Sequence, residues 1–320
     1  MPGRVGMASY RIISIDGGGI RGLIATILLQ RLTQTPGLER LLDTTDLIAG
    51  TSTGGLVALG LAHGIELQQL RALYIDKGPA IFDDSWWDDL TDLGKFAGAD
   101  YSTLPLRREL KRLFGKVELG QLSKHVLITT FDLDNERPER RTWKPKLFHN
   151  FVGPGDDRQA RAADVGLYTS AAPTYFPAVD GFVDGGVYAN NPSMCAIAQA
   201  LDERYQPTPA LEDIQVLSLS TGNILQYVKG RNVDWGYTQW LKPLVNLILE
   251  GTTSITDYQC RQLLRSRYHR VDPEFPPGVR VSLDAVNKID YMVAFAEQYP
   301  LEDTVDWLRE SGWAGPREKD

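Results

Sequence analysis

The order of hydrophobic and polar positions divides the first 65 residues into strand, glycine loop, helix, strand, tight turn and helix. Arg11–Ile15 is a short β-branched run, the pattern of a buried parallel strand. From Ile20 the apolar positions 20, 23, 24, 27, 28 and 32 recur at helical spacing. Leu47–Ala49 reads as the next strand and Gly54–His63 as the helix after it. This order predicts a parallel sheet with right-handed crossovers. Later strands are expected at Val126–Phe131, Gly181–Asp184 and Ile214–Leu219, and helices at 104–114, 159–169 and 192–204. The last hundred residues read as mostly helical, with one long helix from about 235 to 265. Segments 78–103 and 133–158, rich in Pro, Gly, Asp and Trp, read as loops. Without repeats, low-complexity tracts or a composition break, the expectation is one α/β domain. It comprises an N-terminal extension over 1–9, a core over 10–222, and a helical C-terminal part over 223–320 packed on the same domain.

Composition narrows the function. Of 320 residues 42% are hydrophobic and 23% charged, ordinary for a soluble globular chain. A net charge of −7 and a pI near 5.3 argue against nucleic acid as a partner, because such binders carry a basic stripe. The acidity gives no electrostatic help toward anionic lipid either, so any membrane contact must rest on local patches. Cys195 and Cys260 lie far apart in no CxxC arrangement and read as reduced thiols. The start, MPGRVGMASY, has no apolar core of the signal-peptide kind, and LIATILL at 23–29 is too short to span a bilayer. These features place the chain in the cytosol or loosely on a membrane surface.

Three motifs carry candidate chemistry. GTSTG at 50–54 matches G-x-S-x-G between a predicted strand and helix, the context in which a sharp turn projects a serine from the top of a sheet. Gly50 and Gly54 let strand and helix approach, and the helix N-terminus offers unpaired N–H groups and a favourable dipole. An incidental serine in a glycine-rich turn would look the same in isolation. DGGGIRG at 16–22 again joins a strand to a helix, and its consecutive glycines expose backbone N–H groups able to cradle an oxyanion. Arg21 follows in the first helical turn, either holding the loop or attracting an anionic head group. The same segment satisfies G-x-G-x-x-G through Gly17, Gly19 and Gly22, so a dinucleotide-binding oxidoreductase is the rival. That rival needs an acidic residue at the end of the second strand. Asp43 and Asp46 precede the strand instead, and its end is occupied by GTSTGG. The third motif, DGG at 184–186, puts an aspartate at a strand end; alone it is a common turn.

Together these residues resemble the patatin-like phospholipase family. DGGGIRG is similar to its oxyanion loop, GTSTGG to its nucleophile elbow and DGG to its aspartate motif. TSAAPTYFPAV at 169–179 and VYANNPSM at 187–194 resemble segments that accompany that aspartate. The likeness runs from about residue 10 to about 222. It implies a three-layer α/β fold with a mainly parallel sheet flanked by helices. It implies a Ser–Asp dyad, with Ser52 as nucleophile and Asp184 as base. Gly17, Gly18 and Gly19 would line the oxyanion hole, most of all through the N–H groups of Gly18 and Gly19. The implied substrate is a phospholipid, a lysophospholipid or another acyl ester. An acyl-enzyme would form and no metal or other cofactor take part. Some bacterial relatives are membrane-degrading effectors switched on by a nucleotide signal, which is a further reading, as is an inactive lipid-binding module.

The histidines His63, His125, His149 and His269 bear on the dyad independently. Only His269 follows Asp184, as a hydrolase triad of that order requires, and it lies in the polar, strand-like RSRYHRV. DDSWWDD at 83–89 and DLDNE at 132–136 lack a recognised cation-ligand spacing and read as solvated loops. Trp86 and Trp87 are candidates for a lid or interfacial anchor. WGYTQWLKPLVNLIL at 235–249 is a candidate acyl-groove wall or membrane contact, with core packing as the plain alternative.

Overall fold

In the computed structural model, residues 9–81, 101–205, 208–230 and 232–313 are described. Strands β1 (Tyr10–Ile15), β2 (Leu47–Thr51), β3 (His125–Asp132), β4 (Lys144–His149), β5 (Phe182–Asp184), β6 (Ile214–Leu219) and β7 (Tyr268–Val271) form one sheet, ordered β4-β3-β2-β1-β6-β7, with β5 beside β3. The four pairings linking β3, β2, β1, β6 and β7 are parallel, while β4 and β5 run antiparallel to β3. Alternate residues of the central strands enter opposite layers. Ile13, Ile15 and Ile48 pack in one core and Ile12, Leu47 and Ala49 in the other, as expected where helices cover both faces.

On the first face lie α1 (Gly22–Thr33), α2 (Thr53–Ala62), α3 (Leu67–Ile81), α4 (Leu104–Phe114) and α5 (Ala162–Thr169), with α9 (Ile289–Gln298) and α10 (Glu302–Glu310) completing that layer. On the second lie α7 (Ser193–Ala200) and the lower part of the 28-residue α8 (Tyr237–Leu264), while the short α6 (Gly186–Ala189) packs beside α8. The three-layer α/β architecture with a helical C-terminal region is therefore present.

Several local expectations need correction. The segment 133–158 contains β4, whose Lys-Pro-Lys start hides it in the sequence. It occupies a sheet edge, where Pro145 and the lysines block further pairing. Helix α3 occupies residues left unassigned and enters the expected loop at 78–103. Its buried Leu67, Leu70 and Tyr74 keep helical spacing, and the helix runs on through Gly78 and Pro79. The C-terminal part is mainly helical as expected, and β7, in the strand-like RSRYHRV, extends the sheet beside β6. The helices expected at 159–169 and 192–204 are shorter, at 162–169 and 193–200. Trp86, Trp87 and the DDSWWDD segment lie outside the described residues.

Candidate active site

Sheet register brings the two dyad candidates together. Thr51 at the end of β2 pairs with Thr129 of β3, and the next position, Thr130, pairs with Asp184 of β5. Because β4 occupies the other edge of β3, β5 must take over the edge that β2 leaves. The two strands therefore approach each other end to end along β3. Ser52 turns away at the junction and Asp184 arrives at it.

Ser52 sits at φ 54° and ψ −126°, a strained conformation for a residue with a side chain. The chain must reverse within one residue to enter α2. The turn is tight enough that a Cβ on Gly50 would meet the Gly54 carbonyl oxygen at 2.2 Å. The Ser52 N–H donates to Thr169 Oγ1 at 2.8 Å, and Thr169 Oγ1 donates to the Thr129 carbonyl at 2.7 Å. Beneath the elbow, Thr53 Oγ1 meets the Tyr74 hydroxyl.

Asp184 is 4% exposed. Its Oδ1 accepts the Gly186 N–H at 2.8 Å. Burial pushes the carboxyl up to about 7, against hydrogen bonds from the Ser52 hydroxyl and the Gly186 N–H, which favour the charged form. A carboxylate with that proton affinity is a far better base than an ordinary aspartate.

The glycine loop reaches the same place. The Gly17 N–H donates to the Asn190 carbonyl at 3.0 Å and so is not available to a substrate, which removes it from the set expected to bind an oxyanion. The N–H groups of Gly18 and Gly19 take no partner among the described residues, and both glycines border a cavity with Ser52 and Asp184. The Ile20 N–H donates to the Leu283 carbonyl at 2.8 Å. Arg21 holds the loop, donating through Nη1 to the Gly222 carbonyl at 3.0 Å and through Nε to the Gly18 carbonyl at 3.4 Å; it does not line the cavity. Of its two readings, loop support is the one its contacts match. Asp16 is fully buried and ion-paired to Arg270 of β7 at 2.7 Å, and Thr221 Oγ1 donates to the Gly17 carbonyl at 2.9 Å.

The cavity measures about 230 Å³. Ile20, Leu56, Leu110, Phe176, Val245 and Leu249 form much of an apolar wall, and Ser52, Asp184 and Asn190 are among the cavity's polar lining residues. Within segment 235–249, Val245, Ile248 and Leu249 of α8 line the cavity. The four histidines stand apart from the cavity. His269 Nε2 lies 2.9 Å from Thr304 Oγ1 and stacks on Trp307; His63, His125 and His149 pack against aromatic rings. Asp46, at the opposite end of β2, accepts the Arg11 N–H at 2.8 Å and so does not stand at the ribose position a dinucleotide site requires. In the 132–136 segment Asp134 is paired with Arg141.

Thr169 and Asn190 were not singled out as site residues, although both fall in the segments that accompany the aspartate. Arg270 and Leu283 lie where the sequence offers no motif.

A family model described as patatin-like phospholipase matches residues 13–197. The chain is 29% identical over 311 residues to a cGAMP-activated phospholipase of Pseudomonas aeruginosa, covering 93% of this chain and 91% of that protein. It is 30% identical over 339 residues to patatin-like protein 2 of Arabidopsis thaliana, covering 90% and 82%. Among solved structures, the ExoU–SpcU complex of Pseudomonas aeruginosa aligns with a TM-score of 0.46 and 17% identity, covering 95% of this chain and 52% of that one.

Proposed function

The chain belongs to the patatin-like phospholipase family, and we propose that it hydrolyses a lipid acyl ester through an acyl-enzyme on Ser52, with Asp184 as the base. The observation that carries this reading is the end-to-end meeting of β2 and β5 on β3, which sets a strained serine against a buried carboxylate in the wall of a largely apolar cavity.

Asp184 takes the Ser52 proton as Oγ attacks the acyl carbonyl, and the carbonyl π electrons move to oxygen. The N–H groups of Gly18 and Gly19 hold that oxyanion, each contributing a factor of roughly 10²–10³. Collapse breaks the ester C–O bond, and the alcohol leaves with the proton from Asp184. Water then gives its proton to Asp184, attacks the acyl carbon and releases the acid, and the proton returns to Ser52 Oγ. The apolar wall suits an acyl chain, so the substrate class is a phospholipid, lysophospholipid or related ester. A fluorophosphonate probe on wild type, Ser52→Ala and Asp184→Asn tests the reading. Wild type alone should label, and both variants should lose ester hydrolysis. Robust hydrolysis by Ser52→Ala rejects the mechanism.

A second reading adds control by a nucleotide signal. It is favoured by the alignment with the cGAMP-activated phospholipase, which spans nearly the whole of both chains. Hydrolysis of liposomal phospholipid measured with and without cGAMP separates an activated enzyme from a constitutive one.

A further inference from the structure

Helix α8 is apolar on two opposite sides. Val245, Leu249, Thr253, Thr256, Cys260 and Leu264 face inward to the cavity and the core. On the outer side Leu244, Leu247, Ile248, Ile255 and Tyr258 are between 39% and 60% exposed, and a Cβ on Gly251 would meet nothing within 4 Å. At 100° per residue these six positions fall within about 100° of arc, and they extend along roughly 21 Å of helix. Five large side chains exposed to this degree leave on the order of 500 Å² of apolar surface open, the upper range for a monomer.

The order of the outer positions is symmetric about Gly251. In an antiparallel pair of α8 helices crossing there, Leu244 of one copy meets Tyr258 of the other, Leu247 meets Ile255, and Gly251 meets Gly251. Four of the five large side chains thus find another large apolar side chain, Ile248 falls opposite Ser254, and the close crossing lies where no side chain stands. No charged residue enters the stripe. Glu250 lies to one flank, within reach of the Ser254 hydroxyl, and Asp257 and Arg261 on that flank are already paired with each other. A two-fold interface needs this kind of self-complementarity, whereas a lipid surface does not. The apolar stripe alone falls short of the roughly 800 Å² per partner of a standard interface, so residues at its margins must contribute the rest.

We propose that the outer face of α8 is the interface between two copies of this chain, paired antiparallel about Gly251. Ile248 belongs both to this face and to the cavity wall, so the interface lies directly against the cavity.

Sedimentation velocity over about 1–50 µM protein, together with G251C cross-linking, tests this. Wild type should sediment as a dimer at the upper concentrations. Under oxidation G251C should form a covalent dimer, whereas N246C, on the flank of the same helix, should not. Leu247→Glu should shift the chain to monomer with an unchanged circular-dichroism spectrum and abolish cross-linking when combined with G251C. A monomer at every concentration with no G251C cross-link overturns the proposal. Monomers that bind phosphatidylcholine vesicles and lose that binding on Leu247→Glu overturn it in favour of a lipid surface. These readouts do not depend on hydrolysis, so they stand or fall separately from the dyad.

Discussion

With Asp184 as the proposed base, catalytic fitness and stability oppose each other, and a single substitution separates them. Burial raises its carboxyl from the ordinary 3.8 to about 7. At 1.36 kcal/mol per unit, holding the ionised form in the folded chain costs about 4 kcal/mol. Between those two values the folded chain binds more protons than the unfolded chain. The contribution to stability is therefore full on the acid side, falls as pH rises through about 4 to 7, and is lost above that. Integrated between pH 5 and 9, the loss is about 3 kcal/mol. Asp184→Asn cannot ionise and should lack this loss. Urea unfolding of both proteins at the two pH values should show the variant's relative stability rising by about that amount. Over the same range kcat/KM of wild type should climb about tenfold per pH unit below about 7 and level off above it, because only the carboxylate accepts the Ser52 proton. Parallel stability profiles for wild type and Asp184→Asn, or a rate independent of pH from 5 to 8, would refute the reasoning.

Three other substitutions probe the same site. Gly18→Ala places a Cβ 2.1 Å from Thr221 Oγ1, so the loop must shift, and kcat for a soluble ester should fall by about 10²–10³ in steady-state assays. Arg270→Met leaves Asp16 buried without its partner and should destabilise the fold by about 3–5 kcal/mol; adding Asp16→Asn should restore much of this in a double-mutant cycle. Ser52→Gly relieves the positive φ at the elbow and should raise stability by about 1 kcal/mol in denaturant titration while abolishing hydrolysis.

What could be read in the sequence was the chemistry written into local turns. Ser52, Asp184 and the glycine loop sit where a strand ends and the chain must turn, and such turns demand particular residues within a few positions. The preference for Gly18 and Gly19 over Gly17 came from the family resemblance rather than from the turns. Neither could reveal that the Gly17 N–H is taken by the Asn190 carbonyl, a contact across 173 residues of chain. Strand β4 was missed for a different reason: its polar, proline-containing start suits an edge rather than the buried centre that produces a strong apolar run. Helix α3 was hidden by Gly78 and Pro79, which ordinarily break a helix but here fall in its last turn.

The support of the proposed oxyanion loop also extends beyond the three motifs. Asp16 is held by Arg270, Ile20 by Leu283 and Arg21 by Gly222, so each end of the loop is fixed by chain at or beyond residue 222. Without Arg270 the buried Asp16 carboxylate would lose its counter-charge, a cost that falls directly beside Gly18 and Gly19. Strand β7 serves both ends at once: it closes the edge of β6 and carries the guanidinium that Asp16 requires. The C-terminal part, which has no recognisable motif, is thus part of the scaffold that holds the glycine loop bordering the same cavity as Ser52. A core ending near 222 would retain the residues that react while losing what positions them.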